Sequence, residues 1–186
     1  MLAKCNKKIL FGCLLVLIAG TASAHEPTPG YRAKILHHFG ISCEVLDCNQ
    51  FLIEQQLSKH GVQVVHHGED IRMLLPEAVF FYCGTPRIMW PSKPILNLVA
   101  AYLQSTNEID IDVTGYTDNQ GLPQRNLVLS RQRSINIAEY LWKQGVDARF
   151  MSAIGEGDAN PIARNETDAG RRQNQRVEIT YRQVQF

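Results

Sequence analysis

Apolar and polar residues alternate strictly from position 109 to 114: Ile109, Ile111 and Val113 fall on one side, Asp110, Asp112 and Thr114 on the other. A period of two, rich in β-branched side chains, predicts a strand with one buried face. Val177, Ile179 and Tyr181 repeat the pattern against Glu178, Thr180 and Arg182. Two shorter runs, Val62 to Val65 and Ile71 to Leu75, flank His66-His67-Gly68 and predict a hairpin with that tripeptide as its turn.

Elsewhere the spacing lengthens to the helical period. Asp47 to His60 predicts a helix with Phe51, Leu52 and Leu57 on its apolar side and Gly61 as its stop. Ile95 to Leu103 follows Pro94 and predicts a compact buried helix around Leu96, Val99 and Leu103. A third helix reads from Ser130 as N-cap, through Ile135, Ala138, Leu141 and Trp142, to Gly145 as its stop. The apolar strand faces need covering and the helices are what can cover them. The expected class is therefore α+β: a β-α-β-α-β layer with helices on one face of a mixed sheet. Between Gly155 and Gln175 the chain is rich in Gly, Asn, Asp and Thr and predicts a long irregular loop. Its Gly155-Glu156-Gly157 lacks the Gly-Lys-Ser/Thr that a phosphate loop requires.

That arrangement brings the end of the strand at Asp118 beside the start of the helix at Ser130. Arg133 then takes the third helical position, with Arg131 beside it and Arg125 just upstream. A first helical turn favours carboxylates, so arginines there break the rule set by the macrodipole. Arginine beside free N–H groups makes an anion site, and the carboxylate of Asp118 adds a partner for a cation. A small zwitterion satisfies both. The plainer alternative is a salt bridge between Asp118 and Arg133, which near the surface contributes only about 0 to 1 kcal/mol.

The N-terminus changes the picture of where the chain works. Lys4, Lys7 and Lys8 precede an apolar run from Ile9 to Ala19, then Ala22-Ser23-Ala24 before His25. This reads as a secretory signal peptide over residues 1–24, too short to span a membrane durably. Its removal takes three lysines, so 19 basic residues become 16 against 18 acidic ones. That balance disfavours a nucleic-acid partner. Thr21 stands where a lipoprotein box after Ile18-Ala19-Gly20 would need cysteine, and Cys13 follows too little apolar sequence. A soluble periplasmic product is the expectation, with membrane association only through a lipid anchor or protein partners. Residues 25–60 form a turn-rich extension carrying one helix, with Pro27 and Pro29 close together. In an oxidising compartment Cys43 and Cys48 are spaced for a small loop disulfide, leaving Cys83 over. His37-His38 and His66-His67 do not show the paired spacing of a zinc motif.

The run Val113-Thr114-Gly115-Tyr116-Thr117-Asp118-Asn119-Gln120-Gly121, then Asn126, Leu129-Ser130, Arg133 and Tyr140-Leu141, resembles the OmpA-like peptidoglycan-binding domain, of the type shared by OmpA, Pal and MotB. Gly155-Glu156-Gly157, Asn160-Pro161, Gly170-Arg171 and Asn174-Gln175-Arg176-Val177-Glu178-Ile179 continue the likeness, and Leu75-Pro76 with Phe80-Phe81 opens it. The resemblance implies that residues 61–186 form a module binding the diamino acid of an uncrosslinked peptidoglycan stem peptide. It makes Asp118 the ligand of the ammonium, Arg133 the ligand of the carboxylate and Asn126 a further hydrogen-bond partner, with Thr117 and Asn119 lining the loop. Two departures stand out. Gln175 occupies the place of the first Arg in the usual Asn-Arg-Arg-Val-Glu, and Tyr82-Cys83-Gly84-Thr85 replaces a segment that normally carries Asp.

The resemblance implies a wall-binding component of the envelope, in the periplasm and associated with the outer membrane, with no cofactor. A narrower likeness, in size and in the cysteine-bearing N-terminal region, is to the OmpA-like accessory protein of Dot/Icm-type type IVB secretion systems. It makes the chain an accessory subunit of a secretion machine, with envelope or secretion-system proteins as partners. An enzyme is disfavoured: neither Glu156 nor Asp158 has a second carboxylate that sequence can place for hydrolysis, and no Ser/His or Cys/His setting is recognisable.

Overall fold

Strand after strand, the predicted alternation meets a partner. The computed structural model describes residues 46–105, 108–147 and 151–183. The signal peptide, the turn-rich stretch to Gly40 and Cys43 lie outside the described residues. Along the described chain run α1 (Leu46–Lys59), β1 (Gln63–His67), β2 (Asp70–Pro76), the short α2 (Glu77–Phe80), a 3-10 turn (Trp90–Ser92), α3 (Lys93–Gln104), β3 (Glu108–Tyr116), α4 (Pro123–Lys143), β4 (Met151–Gly157), α5 (Asp168–Asn174) and β5 (Arg176–Gln183). Among them no helix is long and apolar enough to cross a membrane.

The five strands form one mixed sheet in the order β1-β2-β5-β3-β4. β1 and β2 are the predicted antiparallel hairpin, but its turn is Gly68-Glu69, with His66 and His67 inside β1. His66 bonds Glu54 of α1 rather than standing in a solvated loop. β5 lies antiparallel between β2 and β3, and β3 pairs parallel with β4 through the α4 crossover. The apolar sides of β2, β5 and β3, Met73 and Leu75, Val177 and Ile179, Ile111 and Val113, pack beneath Leu57, Leu96, Val99, Leu103, Ile137 and Leu141. Phe51 is exposed and Ile53 takes the core position on α1 instead.

The α4 helix corrects the sequence expectation most. It begins at Pro123, with Leu122 as N-cap, and not after Ser130. Its buried stripe is Asn126, Ser130, Arg133, Ser134, Ile137 and Leu141, whereas Trp142 is exposed. The stripe has helical spacing, but four of its six members are polar, so a hydrophobic pattern detects only the last two turns. Ser130 caps nothing: its hydroxyl donates to the Leu127 carbonyl and accepts the Gly157 N–H, tying the helix to β4. Arg133 therefore sits well inside the helix, and the macrodipole argument for an anion site there fails.

The close seat of α4 on the sheet needs two glycines. Gly115 and Gly155 are opposite one another in the β3–β4 register. A Cβ on Gly115 would lie 2.2 Å from the Ser130 carbonyl oxygen, and one on Gly155 2.3 Å from the Arg131 nitrogen. The predicted loop from Gly155 to Gln175 is also more ordered than its composition suggests. β4 runs on to Gly157, and α5 starts at a Thr167 cap whose hydroxyl oxygen accepts the Gly170 N–H.

Candidate functional site

The sheet register explains how the predicted residues come together. Pro76 pairs with Arg176, Arg176 with Tyr116, and Tyr116 with Gly157, so one row crosses four strands. The residues just beyond that row are Glu77, Gln175 and Thr117-Asp118, neighbours across β2, β5 and β3. With strands about 4.8 Å apart, they share a rim about 10 Å wide.

Asp118 is buried at 7 % exposure. Its Oδ1 accepts the Gln120 N–H at 3.1 Å and its Oδ2 accepts the Gln175 side-chain amide at 2.8 Å. A carboxylate offers about four acceptor positions, so both oxygens keep capacity for a further donor. Asn126 spends its side-chain NH2 group on the carbonyls of Asp118 and Gln120, which makes it the brace of the loop. The Thr117 N–H donates to the Gly157 carbonyl at 2.7 Å, while its buried hydroxyl has no partner among the described residues. Asn119 is exposed.

Arg133 does not pair with Asp118. Its Nη2 donates to Glu77 Oε1 at 2.5 Å, its Nε donates to the Thr85 carbonyl at 3.1 Å, and its guanidinium lies 5.4 Å from the centroid of the Phe81 ring. The residue is 1 % exposed. Glu77 Oε1 also takes the Gly84 N–H at 3.3 Å, and the Glu77 backbone N–H donates to the Gln175 carbonyl at 2.9 Å. A continuous chain of contacts thus runs from Asp118 through Gln175 and Glu77 to Arg133.

Glu77 was missing from the residues singled out by sequence. Its signal was available only as an acid directly after Leu75-Pro76, which reads equally well as a surface residue starting a turn. Gln175, noted as a loss of charge, turns out to hold the Asp118 carboxylate. The Tyr82-Cys83-Gly84-Thr85 departure is a tight turn in a loop closed by the Phe81–Ile88 bridge and a bond from the Tyr82 N–H to the Arg87 carbonyl. Asn136 of α4 donates to the Pro86 carbonyl at 2.7 Å and holds the loop down. Gly84 adopts φ +65°, so its lack of a side chain serves the turn.

Cys83, expected to be left over, is disulfide-bonded. Its partner lies outside the described side chains, as does any pairing of Cys43 with Cys48. Cys83 is exposed on this loop. Among the described residues no three His, Cys, Asp or Glu side chains converge as a metal site requires.

A second charged cluster is centred on Arg176 within the row itself. Arg176 is 4 % exposed; it donates to Glu178 at 2.7 Å and to the carbonyls of Asn160 and Asn174, and it stacks 4.0 Å from the centroid of the Tyr116 ring. Burial first, and the Glu178 charge second, hold the Tyr116 phenol above its ordinary value. These groups brace the start of β5. An open cavity of about 460 Å³ nearby, lined by Gly61, Leu74, Pro76, Ile162, Arg172 and Arg176 among others, includes none of the five predicted site residues.

Comparison with known proteins places this geometry in a family. The OmpA family matches residues 80–175, and the chain belongs to it. The probable lipoprotein YiaD of Escherichia coli is 36 % identical over 135 residues, 73 % of this chain and 62 % of that protein. The peptidoglycan-binding protein ArfA of Mycobacterium tuberculosis is 44 % identical over 85 residues, 46 % of this chain and 26 % of its own length. The chain therefore spans about three fifths of the first relative and about a quarter of the second. The solved cell wall anchor of the type VI secretion system of Pseudomonas aeruginosa superimposes with a TM-score of 0.65 at 25 % identity, covering 70 % of this chain and 93 % of that one.

Proposed function

We propose that this OmpA-family chain binds peptidoglycan noncovalently in the periplasm and thereby anchors or positions an envelope component, without chemistry on the wall. One observation carries the reading: a buried Asp118 carboxylate, held by Gln120 and Gln175 and linked through Glu77 to a buried Arg133. Asp118 takes the ammonium of the stem-peptide diamino acid through its remaining lone pairs. Arg133 supplies the matching cation for the carboxylate of the same amino acid. Asn126 keeps the loop in shape, and Thr117 and Asn119 flank the ligand. A few charge-assisted bonds along this rim give an affinity in the micromolar to millimolar range, on the order of 4 to 8 kcal/mol. Several copies on one wall bind far more tightly by avidity. The peptidoglycan-binding name of ArfA supports the ligand class.

Co-sedimentation with purified sacculi tests it. Asp118→Ala is expected to abolish pelleting while leaving the circular dichroism spectrum unchanged. Pelleting equal to that of the wild type removes Asp118 from the site.

The likeness to a secretion-system wall anchor favours a second reading, in which wall binding only positions the chain as an accessory subunit of an envelope-spanning machine. Crosslinked envelopes distinguish the two. Secretion-core subunits recovered with the chain support the second reading, and their absence beside intact wall binding removes it.

A further inference from the structure

We infer that Glu77 is a built-in competitor for the ligand carboxylate, so that the site rests closed and opens by exchanging one carboxylate for another. The inference rests on the peptidoglycan reading above and concerns its regulation.

Arg133 is closed on the sides where it has partners. Its Nε–H is used by the Thr85 carbonyl, Nη2 donates to Glu77, and the Phe81 ring covers one face. With 2 % of its side chain exposed, the guanidinium offers almost nothing to solvent. Glu77 is its more exposed partner, with 10 % of its side chain accessible and its backbone fixed on the rim beside Gln175. A ligand ammonium seated on Asp118 brings its own carboxylate to this same rim, because Gln175 touches both Asp118 and Glu77. That carboxylate meets Glu77 before it meets Arg133.

Direct approach of the ligand without exchange sets two carboxylates against each other at one guanidinium in a site of low dielectric, which is unfavourable. Removal of Glu77 with nothing in its place leaves a buried cation unpaired, which is also unfavourable. Exchange avoids both, since Arg133 has a carboxylate partner before and after. The loop that must yield is the one carrying Gly84 and Thr85, whose N–H and carbonyl complete the closed state on Glu77 and Arg133. Glu77 thus sets a threshold: a stem peptide with a free diamino-acid carboxylate displaces it, and an amidated one has no charge with which to do so.

The test uses the full chain and two soluble stem tripeptides whose C-terminal carboxyl is capped as an amide, one with the free carboxylate at the side-chain end of the diamino acid and one with that group amidated as well. Titration calorimetry compares the wild type, Glu77→Gln and Asp118→Ala. Glu77→Gln keeps an oxygen for Arg133 and Gly84 but loses the charge, so it is expected to bind the free-carboxylate peptide about tenfold more tightly and the amidated peptide as the wild type does. Equal binding of the free-carboxylate peptide by wild type and Glu77→Gln, or weaker binding by a folded Glu77→Gln, overturns the gate while leaving the peptidoglycan reading in place. Undiminished binding by Asp118→Ala overturns that reading itself.

If Glu77→Gln fails to fold, the wild type still decides. The carbon-13 resonance of the Glu77 side-chain carboxylate is expected to shift on saturation with the free-carboxylate peptide and to stay put with the amidated one. An unmoved resonance at saturation with the free-carboxylate peptide refutes the exchange.

Discussion

Gln175 holds Asp118 with its side chain and Glu77 with its backbone: the amide nitrogen donates to Asp118 Oδ2 at 2.8 Å while the carbonyl accepts the Glu77 N–H at 2.9 Å. One residue just before β5 therefore sets the spacing between the Asp118 carboxylate and the Glu77–Arg133 ion pair. A neutral amide at this point orients the Asp118 carboxylate without bringing a charge of its own.

Loss of this contact weakens binding more than folding. Gln175→Ala removes one hydrogen bond to a charged group that keeps its bond from Gln120. Muropeptide affinity is expected to fall about fivefold, or roughly 1 kcal/mol, by calorimetry. An unchanged dissociation constant shows that Asp118 is oriented without Gln175.

Arg133 is also a stability residue. Arg133→Met leaves Glu77 buried without its cation, and the expected loss is about 3 to 5 kcal/mol in urea unfolding. The double variant Glu77→Leu/Arg133→Met removes both charges and is expected to recover most of that loss. Additive penalties in the double variant argue that the two side chains are not coupled. A wall-binding defect in Arg133→Met alone thus has to be read beside its melting curve.

Gly155→Ala tests the seat of α4. The added Cβ meets backbone atoms of Arg131, which cannot swing aside as a side chain can. The helix must lift from β4, at an expected cost of about 1 to 3 kcal/mol measured by chemical denaturation. Muropeptide binding should weaken as well, because Arg133 rides on the displaced turn.

The Tyr102 phenol donates to Glu54 Oε1 at 2.5 Å and lies under α1, and burial followed by this bond raises its pKa above the ordinary 10.0. The native state therefore keeps a proton that the unfolded chain releases. The stability from this group is fully present below about pH 10 and is lost as pH rises from there through the folded pKa. Unfolding free energy between about pH 9 and pH 11.5 is expected to fall more steeply for the wild type than for Tyr102→Phe. Parallel slopes contradict the shift.

Cys83 gives a mass-spectrometric check. Peptide mapping of the protein isolated without reductant is expected to find Cys83 in a disulfide, and a free Cys83 thiol by alkylation refutes the assignment. Reduction removes a tether from the exposed loop that supplies the Gly84 and Thr85 contacts.

Much of the fold was legible because its burial follows simple periods. The alternation at Ile109 to Val113 and at Val177 to Tyr181 marks strands whether or not their neighbours are known, and Gly68 with its flanks marks a hairpin. The start of α4 was not legible. Asn126, Ser130 and Arg133 are buried there through bonds to a loop carbonyl, a β4 N–H and Glu77, and polar residues buried by pairing carry no hydrophobic signal. The same applies to the 158–174 segment, where Asn174 donates to the Ala163 carbonyl and accepts from the Ile162 and Ala163 N–H groups, ordering a stretch that composition reads as loose.

By itself the sequence determined the α+β class, four of the five described strands, the family and the presence of Asp118 and Arg133 among conspicuous residues, while β4 went unread. These follow from spacing along one chain, which side-chain chemistry and strand or helix periods translate directly. Tertiary structure alone decided which carboxylate meets which cation. Glu77 and Arg133 are 56 positions apart and Gln175 and Asp118 57 apart; the row joining Pro76, Arg176 and Tyr116 brings Glu77, Gln175 and Asp118 together, and the seat of α4 on Gly115 and Gly155 adds Arg133. Charge pairing acts over a few ångströms of space with no memory of sequence distance, so the partners of a buried charge become known only when the strands that carry them are laid side by side.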